Sequence, residues 1–130
     1  MAILLSLGII VIGLRFLVAP EASAVSYGVP VSPEADVGPY PATKGLRDLS
    51  FGIIGLTLLA IRQFYAAGWV MIAVSVVPFG DTVLVLLNGG SPAMAYGVHG
   101  VTGLALLAVG GLLAHGQRPS ATHRTPKLRR

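Results

Sequence analysis

Four apolar stretches account for most of this 130-residue chain, and each has about the length of a helix that crosses a membrane. They cover about 2–19, 45–61, 64–87 and 93–114, and a hydrocarbon core of about 30 Å requires roughly 20 residues. Charged residues make up only 11% of the chain, whereas soluble domains carry about 25%. Because backbone polar groups in lipid must be satisfied within each helix, the pattern predicts an all-α fold, an integral membrane antiparallel four-helix bundle.

The basic residues are concentrated at the end of the chain, where five of the nine lysines and arginines lie in the segment 116–130. The positive-inside rule places this tail in the cytoplasm, and with it both termini of a bundle with an even number of spans. Residues 1–115 are the predicted four-span domain, located in the cell membrane. Its outward-facing loop over 20–44 begins with a short interfacial helix over about 20–27. The tail has no interleaved aromatic residues, so nucleic-acid binding is not expected.

The first apolar stretch has a second interpretation, because Ala22-Ser23-Ala24 resembles the cleavage site of a secretory signal. Two features favour a membrane span instead. The start of the chain carries no positive charge, and Arg15 interrupts the apolar run.

Each predicted span carries a polar residue at a similar depth. At 1.5 Å per residue, Arg15 and Asp48 lie about 5–6 Å below the outer interface, and Asp81 and His99 about 9–10 Å below it. A charged group at membrane depth costs about 2.5–3.5 kcal/mol, so Asp81 must be neutral, paired or directed at a hydrated cavity. Arg15 and Arg47 are its expected ionic partners, with His99 as a hydrogen-bonding neighbour.

Helical periodicity adds two residues to this layer. Tyr96 and His99 are three residues apart and are expected to share a helix face. Asn88 follows Asp81 by seven residues and is therefore expected on the same face.

Two local features should shape the layer. Pro78 removes a backbone donor just before Asp81 and should kink the third span at that level. Arg47 and Asp48 are adjacent, so they point about 100° apart and are not expected to pair with each other.

Structural roles compete with functional ones at these positions. Asp81 could form a buried ion pair that fixes helix register, and Asp48 lies at a helix start, where the macrodipole favours a carboxylate. A metal site built from Asp48, Asp81 and His99 lacks the spacing of paired metal ligands, and no metal or cofactor is expected. The chain has no cysteine, which excludes thiolate metal sites and dithiol redox chemistry, and it has no phosphate loop or nucleophile elbow.

Four strings in the chain are not generic membrane sequence: GLRFLVAPEASAVSYGVP at 13–30, KGLRDLSFGIIGL at 44–56, PFGD at 78–81 and YGVHG at 96–100. Together they resemble the small four-span membrane family known as domain of unknown function 4267, over nearly the whole chain except the tail. Some fungal relatives in that family look like the membrane-bound epoxide hydrolases of polyketide pathways, which open epoxides on polyene chains. The resemblance therefore implies epoxide opening on a lipophilic small-molecule substrate.

Opening an epoxide with water requires an acid for the departing oxygen, a base for the water and a cation that holds the base. Soluble epoxide hydrolases of the limonene type use an Asp-Arg-Asp arrangement, and Asp48, Arg47 and Asp81 are similar to it in chemistry but not in fold. The deeper Asp81 is predicted to be the acid and Asp48 the base, and His99 completes the catalytic group. Four further residues are expected to bind the substrate: Arg15, Tyr40, Asn88 and Tyr96.

Two other functions remain open at this point. The chain could be a non-catalytic bundle that carries or transports a small lipophile or ion, or a structural membrane subunit. Small multidrug exporters have the same size but place their key acid in the first span, where this chain has Arg15, which counts against proton-coupled export. The glycine-rich spans favour a homodimer within the lipid bilayer.

Overall fold

The chain folds into helices joined by short turns, in a computed structural model that describes residues 1–30 and 39–116. No strand occurs in this part of the chain, and the all-α prediction is confirmed. The part of the predicted loop over 31–38 and the basic tail from 117 onward lie outside the described residues. The helices are α1 (Ala2–Val18), α2 (Pro20–Ser26), α3 (Tyr40–Ala60), α4 (Phe64–Leu87) and α5 (Pro92–Gly116).

Prolines lie in the first turn of three helices, at Pro20, Pro41 and Pro92. A proline is tolerated there because the first-turn amides have no partner within the helix. Ser91 caps α5 by accepting a hydrogen bond of 3.2 Å from the amide of Met94. The helix α3 begins five residues before the predicted start at 45, because its polar first turn looks like loop in the sequence.

The link between α3 and α4 is a tight turn. The amide of Gln63 donates to the carbonyl of Leu58 at 2.8 Å, and the amide of Arg62 donates to that of Leu59 at 3.1 Å. This pair of hydrogen bonds ends a helix when the residue just after it adopts the left-handed conformation, and that residue is usually glycine. Here that residue is Arg62, with φ of 61°.

The helices pack as two pairs, α1 with α3 and α4 with α5. Glycines let the backbones of each pair approach closely. A methyl group on Gly13 would lie 2.6 Å from the Leu49 amide nitrogen, and one on Gly68 would lie 2.6 Å from the Gly110 carbonyl oxygen. Any side chain at these crossings would therefore push the two helices of a pair apart.

The helix α4 is interrupted at Ser75, which joins the segments Phe64–Val74 and Val76–Leu87. Pro78 explains the interruption, because it has no N–H and its ring clashes with the carbonyl of Val74. The interruption lies three residues before the proline. The helix α5 is also irregular, since Ala95–Gly100 form a π-helical turn before the α-helix Val101–Gly116.

Two of the helices, α4 and α5, are long and apolar enough to cross a membrane. The helix α1 is apolar but shorter, with 17 residues. Large apolar side chains also point outward from all four long helices, among them Val11, Ile53, Trp69 and Leu104. This surface suggests a lipid bilayer environment.

Candidate functional site

A cavity of about 510 Å³ lies between the α1–α3 pair and the α4–α5 pair. Most of its wall is apolar, and one end is polar. The apolar wall includes Leu5, Ile9, Val74, Val77 and Leu106. The polar end is formed by Tyr27, Lys44, Asp48, Asp81 and His99, hereafter the polar cluster.

Asp48 of α3 is buried between two cations, with 3% of its surface exposed. Lys44 Nζ lies 2.5 Å from Oδ2 of Asp48, and Arg47 Nε lies 3.2 Å from Oδ1. The prediction that Arg47 and Asp48 do not pair is therefore wrong, because the long arginine side chain curls back to its neighbour. Arg47 Nη2 is buried and has no hydrogen-bond partner within the described part of the chain.

Asp81, on the second half of α4, is also buried, and its contacts are longer. Its Oδ2 lies 3.9 Å from Lys44 Nζ and 3.9 Å from His99 Nδ1. Lys44 thus stands between carboxylates that come from two different helices. The prediction that Arg15 and Arg47 pair with Asp81 is wrong. Arg47 pairs with Asp48, and Arg15 is exposed at the cavity without an ion pair to any described residue.

His99 lies in the π-helical turn of α5 and points into the cavity. Its Nε2 lies 3.0 Å from the backbone carbonyl oxygen of Tyr27. A carbonyl only accepts hydrogen bonds, so Nε2 must carry a hydrogen and donate it. In the neutral ring Nδ1 is then an acceptor, and this is the atom that faces Asp81.

Tyr27, just after α2, belongs to the site although it is not among the residues predicted from the sequence. Its ring packs edge-on against His99, with 4.9 Å between ring centroids. Burial raises the pKa of the Tyr27 phenol above its ordinary value of 10.0, and the hydroxyl's interaction with the Asp81 carboxylate raises it further. The phenol is therefore protonated at neutral pH and acts as a donor beside Asp81.

Lys44 is the second residue absent from the predicted site. Its ammonium lies 4.9 Å from the centroid of the Phe16 ring and 5.4 Å from that of Tyr27. Only 19% of its side chain is exposed. The spacing of four between Lys44 and Asp48 is the sequence signal that identifies it, since such pairs meet on one helix face.

A family model for a domain of unknown function (DUF4267) matches residues 6–113. This chain belongs to the DUF4267 family. The predicted resemblance is thus confirmed, and the match includes every residue of the polar cluster. Neither a search of curated proteins nor one of solved structures finds a significant match.

Three of the residues predicted to bind substrate in this DUF4267 protein do not line the cavity. Tyr40 and Tyr96 are 81% and 60% exposed. Asn88 folds back to donate a hydrogen bond of 2.8 Å to the carbonyl of Leu84. Tyr96 and His99 do not share a helix face. A π-helical turn contains more residues than an α-helical turn, so a spacing of three residues covers too little of the turn to bring the two side chains to the same face.

The polar cluster of the DUF4267 chain combines donors and acceptors whose side chains are largely buried. Asp81 is an acceptor, as is the Nδ1 atom of His99 when the ring is neutral, and the Tyr27 hydroxyl and the Lys44 ammonium are donors. Together with the neighbouring Arg47, which pairs with Asp48, the two carboxylates and the two cations Lys44 and Arg47 balance in charge. Such a site can bind a polar group at the end of a lipophilic ligand and move protons to and from it. Within residues 1–30 and 39–116, no group of three His, Asp or Glu side chains is arranged to hold a metal ion.

Proposed function

We propose that this chain is a membrane-embedded epoxide hydrolase or cyclase that acts on a lipophilic, polyketide-like substrate. One observation carries the proposal: Asp48 and Asp81, from different helices, approach the same Lys44 ammonium at the polar end of an apolar cavity. An epoxide is an uncharged polar group on an apolar chain, and it needs both a donor and an acceptor to open. The polar cluster offers both at one end of the cavity.

The proposal includes a four-span bundle in which α1, α3, α4 and α5 cross the cell membrane, with both termini in the cytoplasm. The outward-facing apolar side chains of these four helices support it. The polar cluster would then lie near the outer leaflet, and the substrate would enter from the bilayer.

In this mechanism Asp81 and His99 activate the water. A water that donates one hydrogen to the Asp81 carboxylate and one to His99 Nδ1 is oriented with a lone pair free for attack on an epoxide carbon. Asp81 takes the proton, and the carbon–oxygen bond of the epoxide breaks. The departing oxygen receives a proton from the Tyr27 hydroxyl or the Lys44 ammonium, and the proton on Asp81 then restores that donor. The product is a diol, with no net change in protons.

Asp48 and Arg47 have a positioning role in this mechanism. Both carboxylate oxygens of Asp48 contact cations, so Asp48 is a poor base and instead holds Lys44 toward Asp81. This division of roles differs from the sequence-based one, in which Asp48 is the base and Asp81 the acid.

The test is hydrolysis by the purified chain in heavy-oxygen water. Methyl epoxystearate serves as a lipophilic probe, and a panel of polyene epoxides covers longer substrates. The proposal expects a diol that contains one oxygen from the solvent, or a cyclic ether when the probe carries an internal hydroxyl. Recovery of every epoxide unchanged by a folded chain, under conditions in which it binds the probe, would exclude the enzyme.

The second candidate is a non-catalytic bundle that carries a small lipophile or ion. The predominantly apolar wall of the cavity favours this candidate, because a carrier needs an apolar binding site and does not need catalytic groups. Saturable binding of lipophilic probes without any conversion, together with transfer between vesicles, would support this candidate over the first.

A further inference from the structure

The Lys44 ammonium lies in a cage of the kind that recognises organic ammonium ions. Phe16 and Tyr27 present their rings at 4.9 Å and 5.4 Å, and the carboxylates of Asp48 and Asp81 lie at 2.5 Å and 3.9 Å. Aromatic faces and carboxylates are the groups that proteins use to bind quaternary ammonium ligands. In this chain the cage is filled by a side chain of the protein itself.

We propose that the polar end of the cavity is an ammonium-binding site that Lys44 occupies as a tethered internal ligand, so that the cavity admits lipophilic ligands with an uncharged head and rejects cationic ones. The tether gives Lys44 an advantage over any free cation, because its effective concentration at the cage is high. A free cationic head would also add a positive charge where the two carboxylates are already balanced by Lys44 and Arg47.

According to this proposal, Lys44 determines whether the cavity accepts ligands with an uncharged head or with a cationic head. Removing its charge leaves the cage with one uncompensated negative charge, and the space around the missing ammonium becomes available. A lipophilic cation should then bind with its head between Phe16 and Tyr27 and its chain along the apolar wall. For the proposed enzyme this means a substrate with an uncharged reactive end, and only this consequence rests on the proposed function.

The experiment is equilibrium binding of radiolabelled decyltrimethylammonium to the full chain in maltoside detergent. The Lys44→Met variant should bind it at least about tenfold more tightly than the natural chain, a change of about 1.4 kcal/mol. Lys44→Arg, which keeps a cation in the cage, should bind it no better than the natural chain. Equal binding by the natural chain and Lys44→Met would overturn the proposal, as would a folded Lys44→Met that binds no cation.

A double variant separates the cage from general electrostatic attraction. Lys44→Met combined with Phe16→Leu keeps the uncompensated carboxylate but removes one aromatic face. Its affinity for the cation should fall severalfold relative to Lys44→Met. Unchanged affinity would mean that the cation is held elsewhere, and the proposal would be wrong.

A measurement on the natural chain keeps the proposal testable if Lys44→Met does not fold. Acylation of Lys44 by an amine-reactive reagent is compared with that of a free lysine peptide in the same solution. A caged ammonium should react at least about tenfold more slowly, whereas a rate equal to that of the peptide would contradict the cage. Neither assay contains an epoxide, so their failure and the failure of the hydrolysis test are independent.

Discussion

His99 Nε2 donates a hydrogen bond of 3.0 Å to the backbone carbonyl of Tyr27, a residue 72 positions earlier in the chain. The bond joins the π-helical turn of α5 to the end of α2, and thus links the two sides of the polar cluster. It also fixes the tautomer of the imidazole, so that Nδ1 faces Asp81 as an acceptor when the ring is neutral. A hydrogen bond from a side chain to a distant main-chain carbonyl therefore sets which imidazole nitrogen faces Asp81.

Asp81→Asn should abolish most of the proposed activity with little change in fold. The amide has the shape of the carboxylate but cannot accept a proton from water, and loss of a general base lowers turnover about 10²–10⁴-fold. The measurement is incorporation of solvent oxygen into the diol, with folding checked by gel filtration and helical circular dichroism. Tyr96→Phe is the matched control, since Tyr96 is exposed outside the cavity and should retain full activity. A folded Asp81→Asn chain with turnover within about twofold of the natural rate contradicts the mechanism.

Tyr27 should make folding stability sensitive to alkaline pH. Its pKa is raised in the folded chain above the ordinary value of 10.0, so the unfolded chain loses the phenol proton first as the pH rises. The contribution of the Tyr27 phenol to the free energy of unfolding is fully present below about pH 10 and declines above that pH. Melting temperatures between about pH 9 and about pH 11 should fall more steeply for the natural chain than for Tyr27→Phe.

The exposed Tyr40 provides the control for that titration, because Tyr40→Phe should leave the steep decline unchanged. The ultraviolet absorbance of phenolate gives a second readout on the folded chain. Replacing Tyr27 should remove a phenol whose pKa lies above the ordinary value of 10.0. If Tyr27 ionises with the ordinary pKa of 10.0, the burial argument is wrong.

Gly110 and Gly111 are adjacent in α5, and alanine should have opposite effects at the two positions. A methyl on Gly110 would meet the Gly68 carbonyl at 2.7 Å and the Ile72 backbone at 3.1 Å, and such overpacking costs about 1–3 kcal/mol. A methyl on Gly111 meets nothing within 4 Å, and alanine there should stabilise the helix by about 0.5–1 kcal/mol. In detergent, the melting temperature of Gly111→Ala should be higher than that of the natural chain, and the melting temperature of Gly110→Ala should be lower. The reverse order would refute the α4–α5 packing.

Arg62→Gly should stabilise the chain by about 1 kcal/mol. Arg62 adopts a φ of 61°, where a residue with a side chain is strained by about that amount and glycine is not. Arg62→Ala is the matched control, because it removes the same charge but keeps the strain. Equal melting temperatures for the glycine and alanine variants would show that the gain does not come from the backbone.

The long helices were predictable because continuous apolar stretches admit few other structures. Asp48, Asp81 and His99 were also predictable as neighbours, since position along a helix converts directly into height in a bundle. The signal for Lys44 in the sequence is its spacing of four from Asp48, which places the two residues on one helix face. That Lys44 reaches a carboxylate of another helix depends on tertiary packing, which the spacing within one helix does not specify.

Two features had no signal in the sequence. Tyr27 follows a short helix, and its approach to His99 depends on packing between distant segments. The π-helical turn at Ala95–Gly100 changes the number of residues per turn, so the expected shared face of Tyr96 and His99 was wrong. No residue type marks such a turn in advance, and every register assigned by α-helical periodicity fails where it occurs.

The glycine crossings separate the residues that hold the bundle together from those that shape its interior. Gly13 and Gly68 mediate close backbone approach within their helix pairs, whereas Val74 and Val77 line the space between the pairs. Substitutions at these valines can thus reshape the compartment while both crossings stay intact. A scaffold of this kind can evolve toward bulkier or slimmer ligands through its lining alone, with the polar cluster left in place at one end.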